Sequence, residues 1–322
     1  MLKNKTIVIT GASSGVGKAI ALEFAVHQPF LILSSRNASA LEDVTLGCEA
    51  LGAKVKIVIA DVTDASQVIN LAAEAQNFGG QIDIWVNNAG VLAAGSFEET
   101  PMVVHDQVIQ TNLLGYMHGA HAVIPYFKKQ HHGVLINNIS IGGFLPVPYG
   151  VGYSASKFGL RGFSAALKAE LSEWRDIHIC DAFPAFLDTP GIQHAANYTG
   201  KVLKPAPPVY DPRRVAMAIV KLAEKPQSET MIGSASTILR MAYALMPGLT
   251  KNITGKVVRH YLKNADEISK TDGNLFNSVN FGNSVYGGWG LPGKPKAHRK
   301  YLLGGLIAIS AVGLLLLGKK GK

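Results

Sequence analysis

The chain has 322 residues, 48% of them apolar and only 16% charged, with a net charge of +9 and a mean hydropathy of +0.18. That composition excludes a disordered chain and a polytopic membrane protein. The charge is unevenly placed: residues 1–250 carry 19 Lys+Arg against 19 Asp+Glu, and residues 251–322 carry 12 against 3. The neutral first part lacks the basic patch of a nucleic-acid binder, so no nucleic-acid partner is expected. Two distant cysteines, Cys48 and Cys180, form no C-x-x-C pattern and indicate neither zinc nor a disulfide framework. The apolar run at Thr6–Thr10 is too short for the core of a signal peptide.

In chain order, Thr6–Thr10, Phe30–Ser34, Val55–Ala60, Ile82–Asn87, Val134–Ser140 and Ile177–Phe183 read as buried β-strands separated by helix-length segments. Strands alternating with helices predict right-handed crossovers, hence a doubly wound parallel α/β sheet with helices on both faces. Pro205, Pro207, Pro208 and Pro212 mark a loop before a predicted helix over Pro212–Glu224, and Thr230–Gly233 is a weak last strand. A dinucleotide-binding catalytic domain is thus expected over residues 1–235, a helical extension over 236–263, and a linker with a basic juxtamembrane stretch over 264–300. Leu302–Leu317 is uncharged, between Arg299, Lys300 and Tyr301 on one side and Lys319, Lys320 and Lys322 on the other. As a helix it spans roughly 24 Å, slightly less than a hydrocarbon core of about 30 Å. Residues 301–318 are therefore expected to be a single-pass membrane anchor, with a buried core helix as the alternative reading.

After the first strand comes Thr10-Gly11-Ala12-Ser13-Ser14-Gly15-Val16-Gly17, then a helical run. Glycines at a strand-to-helix turn let the backbone approach a pyrophosphate, which the helix N-terminus stabilises through its free N–H groups and dipole. Three later motifs join this turn: Asn87-Asn88-Ala89-Gly90; Thr111-Asn112-Leu113; and Ser140 with Tyr153-Ser154-Ala155-Ser156-Lys157. The ordered set resembles the short-chain dehydrogenase/reductase family over roughly residues 5–235.

The resemblance implies catalysis by Ser140, Tyr153, Lys157 and Asn112. Tyr153 and Lys157 stand four apart on a helix predicted to begin near Gly152, so they share a face. An ammonium beside a phenol is expected to lower the phenol's pKa from about 10 towards working pH, as general acid/base catalysis requires. By the resemblance Tyr153 exchanges a proton with the substrate oxygen, Ser140 orients that oxygen, and Asn112 holds a water linking Lys157 to solvent. Cofactor contacts are implied at Gly11, Ser13, Ser14, Gly15, Val16, Gly17, Asn88, Ala89, Gly90, Tyr153, Lys157, Pro184 and Thr189, with Asp61 and Val62 beside the adenine. Ser35 stands where NAD-preferring enzymes place an acid, and Arg36 follows it, which favours NADP(H). The family's usual Pro-Gly is here Pro184-Ala185. If that backbone needs φ > 0, Ala185 shifts the nicotinamide pocket.

The expected function is NADP(H)-dependent interconversion of a carbonyl and an alcohol, on a lipophilic substrate, with the catalytic domain facing the cytoplasm and a homo-oligomeric state common in the family. Two alternatives stand beside it. A 3-oxoacyl reductase acting on carrier- or CoA-bound chains requires a basic patch at the cleft mouth, for which Arg213 and Arg214 are the paired candidates. A catalytically silent NADP-binding membrane scaffold would bind nucleotide without turnover.

Overall fold

Thr6–Thr10 (β1) is β-branched throughout and fully buried, the pattern of a strand covered on both faces. The computed structural model describes residues 2–289. After β1 come α1 (Gly15–Ala25), β2 (Phe30–Ser35), α2 (Ala38–Ala50), β3 (Lys54–Ile59), α3 (Ala65–Gly79), β4 (Ile84–Asn87), β5 (Ala93–Ala94) and α4 (Met102–Ile109). A π-helical turn, Gln110–Leu114, runs on into α5 (Gly115–Gln130). Then follow β6 (Gly133–Asn138), α6 (Val151–Glu170), β7 (Ile177–Pro184), β8 (Ala196–Asn197), α7 (Arg213–Glu224), β9 (Glu229–Ile232), α8 (Ser234–Leu245) and α9 (Pro247–Asn264).

Seven parallel strands form the sheet in the order β3-β2-β1-β4-β6-β7-β9. Alternation along the strands sends Ile7, Ile9, Leu31 and Leu33 to one face, where they pack with Ile20, Phe24, Leu41 and Ile219. Val8, Ile32, Trp85 and Leu135 fill the other, against Leu71, Val123 and Phe127. The order reverses between β1 and β4, and that switch point opens a crevice at the carboxyl ends of the strands, where ligands of open α/β sheets bind.

Over this crevice, segments from both halves of the chain meet. β5 pairs with β8 as a short separate ladder, and single bridges join Asn197 to Thr271 and Lys201 to Glu267. The first part of the segment expected to be a linker therefore lies against the domain as far as it is described. Its Leu275 is fully buried and packs with Val91, Val104, Val108 and Ala196. A single deep apolar anchor plus backbone pairing holds an Asn-, Gly- and Ser-rich stretch that composition alone reads as free. The extension over 236–263 is two helices broken at Met246.

No helix among the described residues is long and apolar enough to cross a membrane. The anchor expected over 301–318, the basic residues before it and the remainder of the expected linker lie outside the described residues.

Candidate active site

The glycine-rich turn is shaped by what its backbone must approach. Gly11 has φ +65°, and a Cβ there would sit 2.7 Å from Ala89 Cα; a Cβ on Gly17 would sit 2.0 Å from the Gly11 carbonyl oxygen. Only glycine lets β1, α1 and the loop after β4 converge this closely. Thr10 Oγ1 accepts from the N–H groups of Asn88 at 3.0 Å and Ala89 at 3.2 Å. Asn88 Nδ2 donates back to the carbonyls of Thr10 at 3.0 Å and Gly11 at 3.1 Å, and Asn138 Nδ2 donates to Asn88 Oδ1 at 2.9 Å. The two sequence motifs are thus one hydrogen-bonded unit across the switch point. Ser14 at the N-cap of α1 makes no side-chain cap.

At the end of β2, Ser35 and Asn37 close a local turn, with Asn37 N donating to Ser35 Oγ at 3.1 Å. Arg36 Nη1 lies 3.7 Å from Asp61 Oδ2. Asp61 is held by Thr63, whose N–H and hydroxyl donate to Oδ1 at 2.9 and 2.8 Å.

Ser140 ends the run after β6 with φ +108°, a backbone region that L-residues rarely occupy and that is tolerated where its surroundings enforce it. Its hydroxyl accepts from Gly142 N at 3.1 Å and hydrogen-bonds the Tyr153 phenol, which draws that phenol's pKa down. Burial acts in the opposite direction and is the larger influence, so Tyr153 is held above its ordinary value. Lys157, only 4% exposed, is pulled down to about 7 by desolvation. Its Nζ is 5.8 Å from the centroid of the Tyr153 ring and 5.1 Å from that of Tyr116. The expectation that a charged lysine lowers the phenol is therefore reversed in this cleft. Loss of water raises the phenol and lowers the ammonium together, leaving Tyr153 protonated.

Asn112 lies in the π-helical turn, a distortion that often marks functional positions. Its side chain is fully used: Oδ1 accepts from Val91 N at 2.8 Å, and Nδ2 donates to the Val91 carbonyl at 2.9 Å and to Ser156 Oγ at 3.2 Å. It pins the loop after β4 to α6 beneath Lys157. Ala185, with its N–H donating to Ile232 O at 3.0 Å, is not among the positive-φ residues, so the missing glycine costs no backbone strain.

All the residues expected to act, from Gly11, Ser13, Ser14, Gly15, Val16 and Gly17 through Ser35, Arg36, Asp61, Val62, Asn88, Ala89, Gly90 and Asn112 to Ser140, Tyr153, Lys157, Pro184 and Thr189, line one cleft of about 840 Å³. Sequence reasoning missed two single residues and two segments. Tyr116 packs its ring against Lys157 and donates its hydroxyl to the Asn138 carbonyl at 2.8 Å. Tyr149, with φ +63°, lines the cleft beside Val147 and Pro148. Val257, Val258, Tyr261 and Leu262 of α9 form a further apolar wall. Asn274, Ser278 and Asn283 border the cofactor half. Only the doublet Asn137-Asn138 just before Ser140 hints at the polar clamp around Asn88. Arg213 and Arg214, candidates for a basic mouth, are not among the cleft's lining residues, and Arg213 pairs with Asp211 at 2.9 Å.

Comparison with known proteins now decides the family: the model described as short chain dehydrogenase matches residues 5–198. The chain belongs to the short-chain dehydrogenase family. It is an oxidoreductase of that family and is similar to an uncharacterized oxidoreductase, YxnA, of Bacillus subtilis (strain 168), at 32% identity over 264 residues, 80% of this chain and 74% of that one. It is 31% identical over 257 residues to the 3-ketodihydrosphingosine reductase of Bos taurus, 77% of each chain. Among solved structures, an alcohol dehydrogenase of the archaeon Thermococcus sibiricus complexed with 5-hydroxy-NADP superposes with a TM-score of 0.62 at 27% identity, covering 71% of this chain and 95% of that one.

Proposed function

We propose that this short-chain dehydrogenase uses NADP(H) to interconvert a ketone or aldehyde with the corresponding alcohol on a lipophilic substrate. The observation that carries the reading is a cleft with two unlike halves meeting at Tyr153. One half is a polar cradle of Gly11, Gly15, Gly17, Asn88, Ser35 and Arg36; the other is apolar, with Ile141, Val147, Leu187, Ile192, Val257 and Leu262 on its walls. The cradle fits a phosphorylated dinucleotide: close backbone approach at two glycines, a helix N-terminus without a side-chain cap, no carboxylate at Ser35, and a guanidinium at Arg36.

The hydride would be supplied or taken up by NADP(H) bound in this cradle. Tyr153, kept protonated by burial, donates its proton to the carbonyl oxygen during reduction; in the reverse direction it first passes its proton to the neutral amine of Lys157 and then, as phenolate, takes one from the alcohol. Ser140 hydrogen-bonds the phenol and orients the same oxygen. Lys157, whose ammonium titrates at about 7, returns the proton to Tyr153 through its side of the site. The apolar walls exclude water from the reacting centre and select substrates by buried hydrocarbon rather than by charge. The similarity to a 3-ketodihydrosphingosine reductase, an enzyme named for a long-chain keto substrate, points the same way.

A bilayer is the source of such a substrate in this reading. α8 and α9 expose Met241, Leu245, Leu249, Ile253 and Val257 near Lys251, Lys256 and Arg259, and the uncharged run 302–317 follows in sequence. Flotation of the full chain with anionic vesicles, but not after high-salt washing of a variant lacking 302–317, is the expected outcome. Recovery of the full chain in the pellet with and without vesicles removes the membrane from the reading.

The test of activity is oxidation of NADPH and NADH by the full chain in mixed micelles, against short ketones, steroid-like ketones, long-chain 3-keto amines and acyl thioesters. Turnover of a lipophilic class with NADPH, reduced by roughly 10²–10⁴ in Tyr153→Phe, is expected. Turnover confined to acyl thioesters selects the 3-oxoacyl reading, and saturable nucleotide binding without any turnover selects the scaffold.

A further inference from the structure

The groups assigned to the dinucleotide are already taken by the chain itself. Arg36 Nη2 donates to the carbonyl of Asn274 at 2.5 Å, and Nη1 to those of Leu275 at 3.3 Å and Phe276 at 3.2 Å. The adjacent Asn37 donates Nδ2 to the carbonyl of Val279 at 3.0 Å. Further along, Gly15 N, the first N–H of α1, donates to Ser284 O at 2.9 Å, and Lys18 Nζ to Asn283 O at 3.1 Å. Residues 274–284 thus run along the cofactor half of the cleft and meet both the arginine expected at a 2′-phosphate and the helix terminus expected at a pyrophosphate.

Every one of these contacts places a strap carbonyl on a protein donor, which is the role a phosphate oxygen would take. A carbonyl is a weaker acceptor for a guanidinium than a phosphate dianion, which adds a full opposite charge and oxygens placed for bidentate pairing. The strap is well seated elsewhere: Leu275 is buried in a core cluster, and the N–H groups of Gly287 and Trp289 donate to Asp188 Oδ1 at 3.1 and 2.8 Å. It is less well satisfied where it crosses the cleft, since Asn274 Oδ1 is buried without a hydrogen-bond partner. The Leu275 side chain is anchored in the core while the carbonyls of Asn274, Leu275 and Phe276 beside it turn to Arg36, so displacement requires only that these peptide groups leave the guanidinium.

We propose that residues 274–284 are a cofactor-specificity strap that competes with the 2′-phosphate of NADP(H) for Arg36 and is displaced when that phosphate binds. The proposal rests on the NADP(H) reading of the cradle. A dinucleotide lacking the 2′-phosphate competes only with the Ser284 and Asn283 carbonyls at the start of α1 and leaves those of Asn274, Leu275 and Phe276 on Arg36, so the two cofactors differ in whether the Arg36 end of the strap opens. Discrimination then arises from the protein's own backbone as well as from the arginine.

Hydrogen exchange of the strap peptide, read together with calorimetric binding of NADPH and NADH to the full chain, tests this without reference to turnover. Saturating NADPH is expected to speed exchange across 274–284 at least fivefold, with NADH giving less than half that change. In Arg36→Met the strap is expected to exchange fast with no cofactor present, and NADPH to add nothing. Leu275→Ser, which loosens the strap and leaves Arg36 in place, is expected to tighten NADPH binding roughly tenfold and NADH binding less. NADPH that binds but leaves or slows strap exchange, or Leu275→Ser weakening NADPH, overturns the strap while the cofactor reading stands. Failure of NADPH to bind at all overturns both.

Discussion

The Lys157 ammonium nitrogen stands closer to the ring of Tyr116 than to that of Tyr153, 5.1 Å against 5.8 Å to the centroids. An aromatic face attracts a desolvated cation and offsets part of what burial costs Lys157. Tyr116→Leu removes that face and is expected to lower the Lys157 pKa further below about 7, moving the alkaline fall of kcat for carbonyl reduction to lower pH. Tyr116→Phe keeps the ring, loses only the hydrogen bond to the Asn138 carbonyl, and is expected to leave that limb in place. Identical pH profiles for the two variants and the parent would mean that Tyr116 does not hold the charge on Lys157.

Lys157 also sets an opposition between stability and activity. In the unfolded chain its ammonium titrates near 10.5, in the folded chain at about 7. Between these values the unfolded chain binds more protons, so stability rises with pH over that window, and the full penalty of the buried charge applies below it. Lys157→Met removes the penalty. At pH 6.5 it is expected to raise the Tm of the cofactor-free chain, with the gain vanishing near pH 10.5. Activity is expected to be lost at every pH. A lower Tm at pH 6.5 would show that interactions of the ammonium outweigh its desolvation.

Much of this architecture is legible in residue order because the physics behind it is local. The β-branched run Thr6–Thr10 and the largely apolar run Ile177–Phe183 mark buried strands to within a residue or two of their observed ends. The glycines at 11 and 17 mark a close backbone approach that no other residue permits. Illegible features depend on groups that every residue carries or on neighbours brought from afar. The strap binds Arg36 through main-chain carbonyls, which leave no side-chain signature, and its scattered apolar residues Leu275, Phe276, Val279 and Phe281 follow neither a helix nor a strand period. The direction of the Tyr153 pKa depends on how much water the assembled cleft excludes, so spacing to Lys157 correctly pairs the residues and misjudges their charge. Tyr116 reads as one more core aromatic on a helix until the fold sets it beneath a lysine.

Asn112 provides a test of positioning. Both polar groups of the Val91 backbone are satisfied by its amide, at 2.8 and 2.9 Å, and the residue is fully buried. Asn112→Ala leaves that N–H and C=O without partners, at a cost of about 2–4 kcal/mol and a fall in Tm of roughly 5–15 °C. Because the loop carrying Gly90 and Val91 borders the site, kcat is expected to fall with stability. A variant as stable as the parent would place water on Val91 and remove Asn112 from its structural role.

Ser35 tests the electrostatics of cofactor choice apart from the strap. Its side chain lies at the carboxyl end of β2, in a turn closed by its own hydroxyl to Asn37, next to Arg36. Ser35→Asp sets a carboxylate where a ribose hydroxyl would accept it and a 2′-phosphate would be repelled, and it competes for the Arg36 guanidinium. The ratio of kcat/KM for NADPH over NADH is expected to fall about 10²-fold, close to 3 kcal/mol of differential stabilisation. The two cofactors should part in direction, NADH improving as NADPH weakens, because the carboxylate is attractive to one and repulsive to the other. Equal losses for both would indicate that the turn at Ser35-Arg36-Asn37 had been distorted, and that discrimination resides elsewhere along the cleft.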